Sequence, residues 1–134
     1  MSYIKQMFDT HPHQPKSDRS KAIECITACY SCHEACNSCA DACLGEEHVA
    51  HQIRCIRTNL DCADVCLATA KVISRLTETD KQLAGDLLRA CITACESCGA
   101  ECSKHAEMMK HCAICAEACK RCAEACRALL AEPA

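Results

Sequence analysis

Eighteen of the 134 residues are cysteine, and most of them keep heptad spacing. Cys25, Cys29, Cys32, Cys36, Cys39 and Cys43 are separated by steps of 4, 3, 4, 3 and 4 residues. Cys91, Cys95, Cys98 and Cys102 repeat the beat, and so do Cys112, Cys115, Cys119, Cys122 and Cys126. Alternating steps of three and four hold a side chain on one face of an α-helix. Thiols four residues apart then stand ~5–6 Å apart at Cβ and can approach one metal ion from a single helix. Cys62/Cys66 adds such a pair in the middle of the chain, and Cys55 lies one heptad before Cys62.

Softness and charge decide which metal suits this seam. Thiolates select soft ions, and two-coordinate sulfur binding suits Cu(I). Zn(II) prefers four ligands in a tetrahedron, which pairs from two facing helices would supply, so a zinc buffer stays open as a second reading. Burying many thiolates without counter-ions is prohibitive. One monovalent cation per thiolate neutralises them one for one, giving a capacity on the order of 18 ions per chain if each thiolate bridges two ions. Separate four-thiolate zinc sites would fill at about a quarter of the cysteine count. Neutral cysteine is a small buried hydrophobe, so a bundle lined with it is expected to fold before metal arrives.

Imidazole and thioether are the remaining soft ligands. His48 and His51 precede Cys55 by seven and four residues, His105 follows Cys102 by three, and His111 precedes Cys115 by four. Met108 and Met109 precede Cys112 by four and three. In an up-down-up-down order these residues share one end. His51, His105, Met109 and His111 are the ligand candidates there, with surface histidines near helix ends as the alternative. The other end carries Val72, Ile73, Leu76, Leu83, Leu87, Leu88, Leu129 and Leu130. The expectation is metal entry at a His/Met mouth and an apolar plug opposite. His33 is one step off the seam and is expected to face solvent. In the gap between Cys55 and Cys62, Thr58 or Asn59 faces inward as a polar bystander.

The elements that must hold this seam follow from local signals. Residues 1–17 read as an N-terminal arm, with a short helix over Tyr3 to Phe8 broken by Pro12 and Pro15. Asp18 or Ser17 caps a first long helix to about Leu44, and Gly45 takes the C′ position. Glu46 and Glu47 open a second helix that runs to about Leu76. Thr79 or Asp80 caps a third, from Lys81 to about His105. A break within Lys104 to Lys110 precedes the fourth, which ends before Pro133. The fold class is all-α: an up-down-up-down four-helix bundle over residues 18–132 behind a short arm. CITACYSCHEAC (Cys25 to Cys36) echoes CITACESCGAEC (Cys91 to Cys102), which points to a duplicated helical hairpin.

Composition narrows the class further. Net charge is −3, which gives no electrostatic case for nucleic acid, and no apolar run reaches the length of a membrane span. The stretch MSYIKQMFDTHPHQPKSDRSK lacks a basic segment followed by an apolar one, so a cytoplasmic protein with reduced thiols is expected. The spacing Cys-x3-Cys-x2-Cys at Cys25, Cys91 and Cys115 matches the radical-SAM cluster motif. That motif works on a loop of a far longer barrel, whereas here it recurs inside continuous helices. An iron–sulfur electron carrier is the remaining rival, although its cysteines usually come from loops.

The stretch from Cys25 to Cys126 resembles the bacterial copper storage proteins, through the repeated CxxxC pairs of CITACYSCHEAC and CAEACKRCAEAC. The resemblance implies a four-helix bundle with Cu(I) along its core and a homotetramer; the leading expectation is storage and detoxification of Cu(I) without catalysis. Without an export signal the chain is similar to the cytosolic branch.

Overall fold

The computed structural model describes residues 2–132, so Pro133, read as the stop of the last helix, lies outside the described residues. A short helix α1 (Ile4–Thr10) precedes four long ones: α2 (Arg19–Leu44), α3 (Ile53–Ser74), α4 (Lys81–Ser103) and α5 (Lys110–Leu130). Asp18 starts α2 by accepting a hydrogen bond from the Lys21 backbone N–H (3.0 Å). Asp80 does the same for α4 through Leu83 (3.0 Å). Each cap satisfies a backbone donor that the first helical turn leaves without a partner. The tight α3–α4 turn passes through Glu78 at φ 54, in the left-handed region that few non-glycine residues adopt.

Two expectations at the α2–α3 connection need correction. Gly45 closes α2 with φ −86, so the chain leaves the helix through a right-handed turn rather than a left-handed C′ residue. Glu46 and Glu47 do not open α3. They lie in a turn that is followed by a 3₁₀ segment (Val49–Gln52), and the α-helix begins at Ile53. The chain needs this extra length because α3 must start beside Cys43, with Cys55 turned inward.

Helix α2 packs on α3 and α5, and α4 packs on the same two, which closes the four helices into a ring. Sulfur fills the middle. Seventeen cysteines have 0–1% exposure and Cys39 has 2%. Small residues let the helices approach closely. At Gly99 in α4 an added Cβ would stand 3.4 Å from the Cys119 Cβ of α5.

The arm is fastened by one aromatic side chain. Phe8 is 1% exposed and joins the core cluster, the Gln14 side-chain amide donates to its carbonyl (2.7 Å), and Asp9 pairs with Arg19 and Lys5. Truncating a buried Phe to Ala costs ~3–5 kcal/mol. Since α1 has few other anchors, Phe8→Ala is expected to free the arm rather than unfold the bundle. Protease cleavage between His11 and Ser17 should accelerate by about two orders of magnitude, at about 1.4 kcal/mol per factor of ten. Copper capacity should not change. Limited proteolysis of the apo protein measures the first effect, and a fall in capacity would show that the arm supports the lumen.

Candidate metal centre

The heptad phase of each helix turns its cysteines toward the bundle axis, and the ring of helices brings four such rows together. All eighteen thiols are free and buried. Neighbouring sulfurs on different helices make contacts such as Cys36–Cys115 at 3.6 Å, Cys29–Cys122 at 3.7 Å and Cys29–Cys91 at 4.0 Å. Within helices, Cys32–Cys36 and Cys62–Cys66 stand at 3.8 and 3.7 Å. The contacts continue from Cys25–Cys126 at one end to Cys43–Cys55 at the other.

Groups of four ligand atoms within 4.8 Å of one another follow along this lumen. They include Cys29, Cys91, Cys122 and Cys126; Cys32, Cys66, Cys95 and Cys122; Cys32, Cys36, Cys62 and Cys119; and Cys36, Cys98, Cys115 and Cys119. Consecutive groups share sulfurs: Cys122, then Cys32, then Cys36 with Cys119. A shared sulfur is a bridging sulfur. Bridging suits monovalent ions of low coordination number, whereas isolated tetrahedral zinc sites need four thiolates each.

The α2–α3 and α4–α5 connections meet at the same end, as the helix order requires. There Cys39, Cys43 and Cys112 form a mixed group with His111. His111 Nδ1 lies 3.3 Å from Cys39 Sγ and 3.7 Å from Cys112 Sγ, while Nε2 lies 3.1 Å from Glu46 Oε1. Met109 is half-buried against the core cluster, and His105 is half-buried in the α4–α5 connection. His51 is exposed and its ring stacks on His48 at 5.9 Å, and Met108 is 87% exposed. The fold therefore brings His111 to the sulfurs and leaves His51 and Met108 on the outer surface of the mouth.

The opposite end is sealed from the sulfur row. Leu88 and Leu129 are buried, and Thr69, fully buried on α3, turns its hydroxyl back to the Val65 carbonyl (2.7 Å). Above them lies a cleft of about 620 Å³ between arm residues such as Pro15 and Lys16 and bundle residues such as Ile73, Leu76 and Leu130. The cleft wall contains no cysteine among the described residues. Leu83, expected in the plug, is 48% exposed.

Burial shapes the chemistry of the mouth thiols. It pushes the Cys112 thiol up to about 11, with the neighbouring Cys43 adding to the effect. Cys55 is raised for the same reason, through burial first and then Cys43 and Cys112. At these two thiols burial disfavours the thiolate while no cation is present. Metal entry must therefore release protons as the ligands ionise.

Asn59 is more than a bystander. It is 0% exposed and occupies the α3 seam between Cys55 and Cys62. Its Oδ1 accepts from the Cys115 thiol (2.9 Å) and the Cys98 thiol (3.2 Å). Its Nδ2 donates to the Cys55 carbonyl (2.8 Å) and lies 3.5 Å from Cys102 Sγ. The 4, 3, 4 steps through 55, 59, 62 and 66 already placed it on the seam. His33 also differs from expectation: it is half-buried, and its Nδ1–H donates to the Ala63 carbonyl (3.0 Å), tying α2 to α3 from outside the lumen.

Several proteins with this arrangement are copper storage proteins. The sequence profile of Csp, the copper storage protein, matches residues 18–131. The copper storage protein Ccsp from Streptomyces lividans, solved loaded with 10 copper equivalents, is 47% identical with a TM-score of 0.94, over 97% of this chain and 99% of that one. The Cu(I)-bound copper storage protein BsCsp3 is 39% identical with a TM-score of 0.74, over 83% and 99% of the two chains. The cysteine-rich protein YhjQ of Bacillus subtilis is 41% identical over 107 residues, 80% of this chain and 94% of that protein. With a shared-sulfur lumen and a profile match across all four long helices, the chain belongs to the copper storage protein family.

Proposed function

We propose that this protein stores and detoxifies Cu(I) in the cytosol by filling the bundle lumen with many ions, without catalysis. The observation that carries this reading is the sharing of buried sulfurs between successive four-ligand groups, which suits bridged Cu(I) better than isolated divalent sites. The eighteen cysteines are the ligands. His111 joins them at the mouth, and His51, His105 and Met109 act as outer ligands during entry. The cytosolic setting is supported by a Streptomyces lividans relative described as a cytosolic copper storage protein, which is 50% identical with a TM-score of 0.84. No described helix is long and apolar enough to cross a membrane.

Direction of traffic follows from the two ends. Copper enters and leaves at the His111 end, where thiols and imidazole meet the connections. The leucine end offers no sulfur path. A homotetramer is part of the reading, and exposed aliphatics such as Ile53 (67%) and Leu60 (44%), seven residues apart on α3, are suited to burial in it. Sedimentation equilibrium reads that mass directly.

An anaerobic titration with Cu(I) against a chromophoric Cu(I) chelator tests the function. Uptake on the order of ten to twenty ions per chain is expected from bridging thiolates. Zn(II) filling at about a quarter of the cysteine count, with no larger uptake of Cu(I), would favour the zinc buffer. Saturation at two or three ions would end the storage reading.

A further inference from the structure

The α2–α3 turn delivers a carboxylate to the first turn of α5. Glu46 sits three residues after Cys43, and its backbone N–H donates to the Cys43 carbonyl (3.2 Å). One turn of chain therefore positions both a sulfur of the mouth group and the carboxylate beside it. Glu46 Oε1 lies 3.1 Å from His111 Nε2, on the side of the ring away from the sulfurs. A neutral imidazole carries one N–H and one lone pair, and an ionised carboxylate only accepts. The pairing therefore places the proton on Nε2 and leaves the Nδ1 lone pair facing Cys39 and Cys112.

We propose that Glu46 is a positioning residue for copper entry: it fixes the tautomer and ring orientation of His111 so that Nδ1 can take Cu(I) at the Cys39–Cys43–Cys112 group. This rests on the storage reading. The alternative is an ordinary surface ion pair. Glu46 and His111 have side-chain exposures of 40% and 27%, and pairs with that access to solvent contribute little to stability. Their value lies in geometry instead. A histidine that binds metal usually donates its other N–H to such a partner, and losing that partner weakens affinity or activity by about 10- to 100-fold.

The test uses the full chain and its Glu46→Ala and Glu46→Gln variants. Nitrogen-15 spectra of the apo protein report the His111 tautomer. The rate of Cu(I) uptake from a chromophoric chelator complex reports entry, and the end point reports capacity. The wild type should hold the Nε2–H tautomer. Glu46→Ala should mix tautomers and slow uptake about tenfold or more. Glu46→Gln should restore both, because its amide oxygen accepts the same hydrogen bond, and capacity should be equal in all three. An Nδ1–H tautomer in the wild type, wild-type uptake in Glu46→Ala, or equal slowing in both variants would overturn the proposal. A small capacity in the wild type would instead remove the storage reading, and the tautomer would still judge the Glu46 contact.

Discussion

Raising the pH through about 9 to 11 is expected to destabilise the copper-free protein and to leave the copper-loaded protein unaffected. The sign follows from the raised thiols. Cys112 moves from an ordinary value of 9.0 to about 11 because burial, with help from Cys43, disfavours its thiolate. Cys55 moves in the same direction. A group raised in the folded state adds stability in full below its unfolded value and loses it as the pH climbs through the folded value. The apo bundle thus keeps this contribution below pH 9 and loses it by about 11. A lumen of eighteen thiols cannot gain negative charge without repulsion. In the loaded protein the thiolates are already formed and neutralised by Cu(I), so this transition has no cause. Circular dichroism and thiolate absorption, followed anaerobically with pH on both forms, measure the difference. An apo protein that keeps its stability with ionised thiols would contradict the sealed lumen, and so would a loaded protein that loses stability over the same range.

Asn59→Asp is expected to destabilise the apo protein by about 3–5 kcal/mol, the cost of an unpaired buried charge. Domains of this kind have about 5–15 kcal/mol in total, so the variant is near the edge of folding. Asn59 serves two opposite needs at once: its oxygen accepts hydrogen bonds from the Cys98 and Cys115 thiols, and its nitrogen donates to the Cys55 carbonyl. Aspartate removes the donor and puts negative charge among thiols. Its folded carboxyl is raised by burial, so stability should return as the pH falls and the group becomes neutral. Cu(I) loading should also restore it, by supplying positive charge. Asn59→Ala, which only leaves neutral groups without partners, should cost about 1–3 kcal/mol. Urea unfolding of the apo proteins separates these cases. An aspartate variant as stable as wild type would mean that water reaches this level of the lumen.

Much of the centre was legible because helix phase is a local property. Steps of three and four residues place Cys25 to Cys43 on one stripe whatever surrounds them, and the buried rows follow that phase. Asp18 and Asp80 were readable as caps for the same reason: a side chain beside a free backbone N–H acts within a few residues. The connections were harder. Glu46 looks like an acid suited to a helix start, since nothing within a few residues announces that its partner is His111 in α5. His51, His105 and His111 have equal claims on the seam by spacing. The fold gives the contact to His111, because α5 enters its helix beside Cys39 while the 3₁₀ segment carries His51 outward.

The amino-acid order alone settles that this chain makes four cysteine-striped helices, that the candidate ligands are soft, and that sulfur gives way to histidine at one end and leucine at the other. These follow from period, residue chemistry and chain direction, each of which acts over a short range. Tertiary packing decides which stripes touch, which sulfurs are shared, where Asn59 divides its hydrogen bonds, and which histidine meets the lumen. Those outcomes depend on the rotation and offset of neighbouring helices, set by the close fit of small side chains such as Gly99 against Cys119, and no local pattern encodes them.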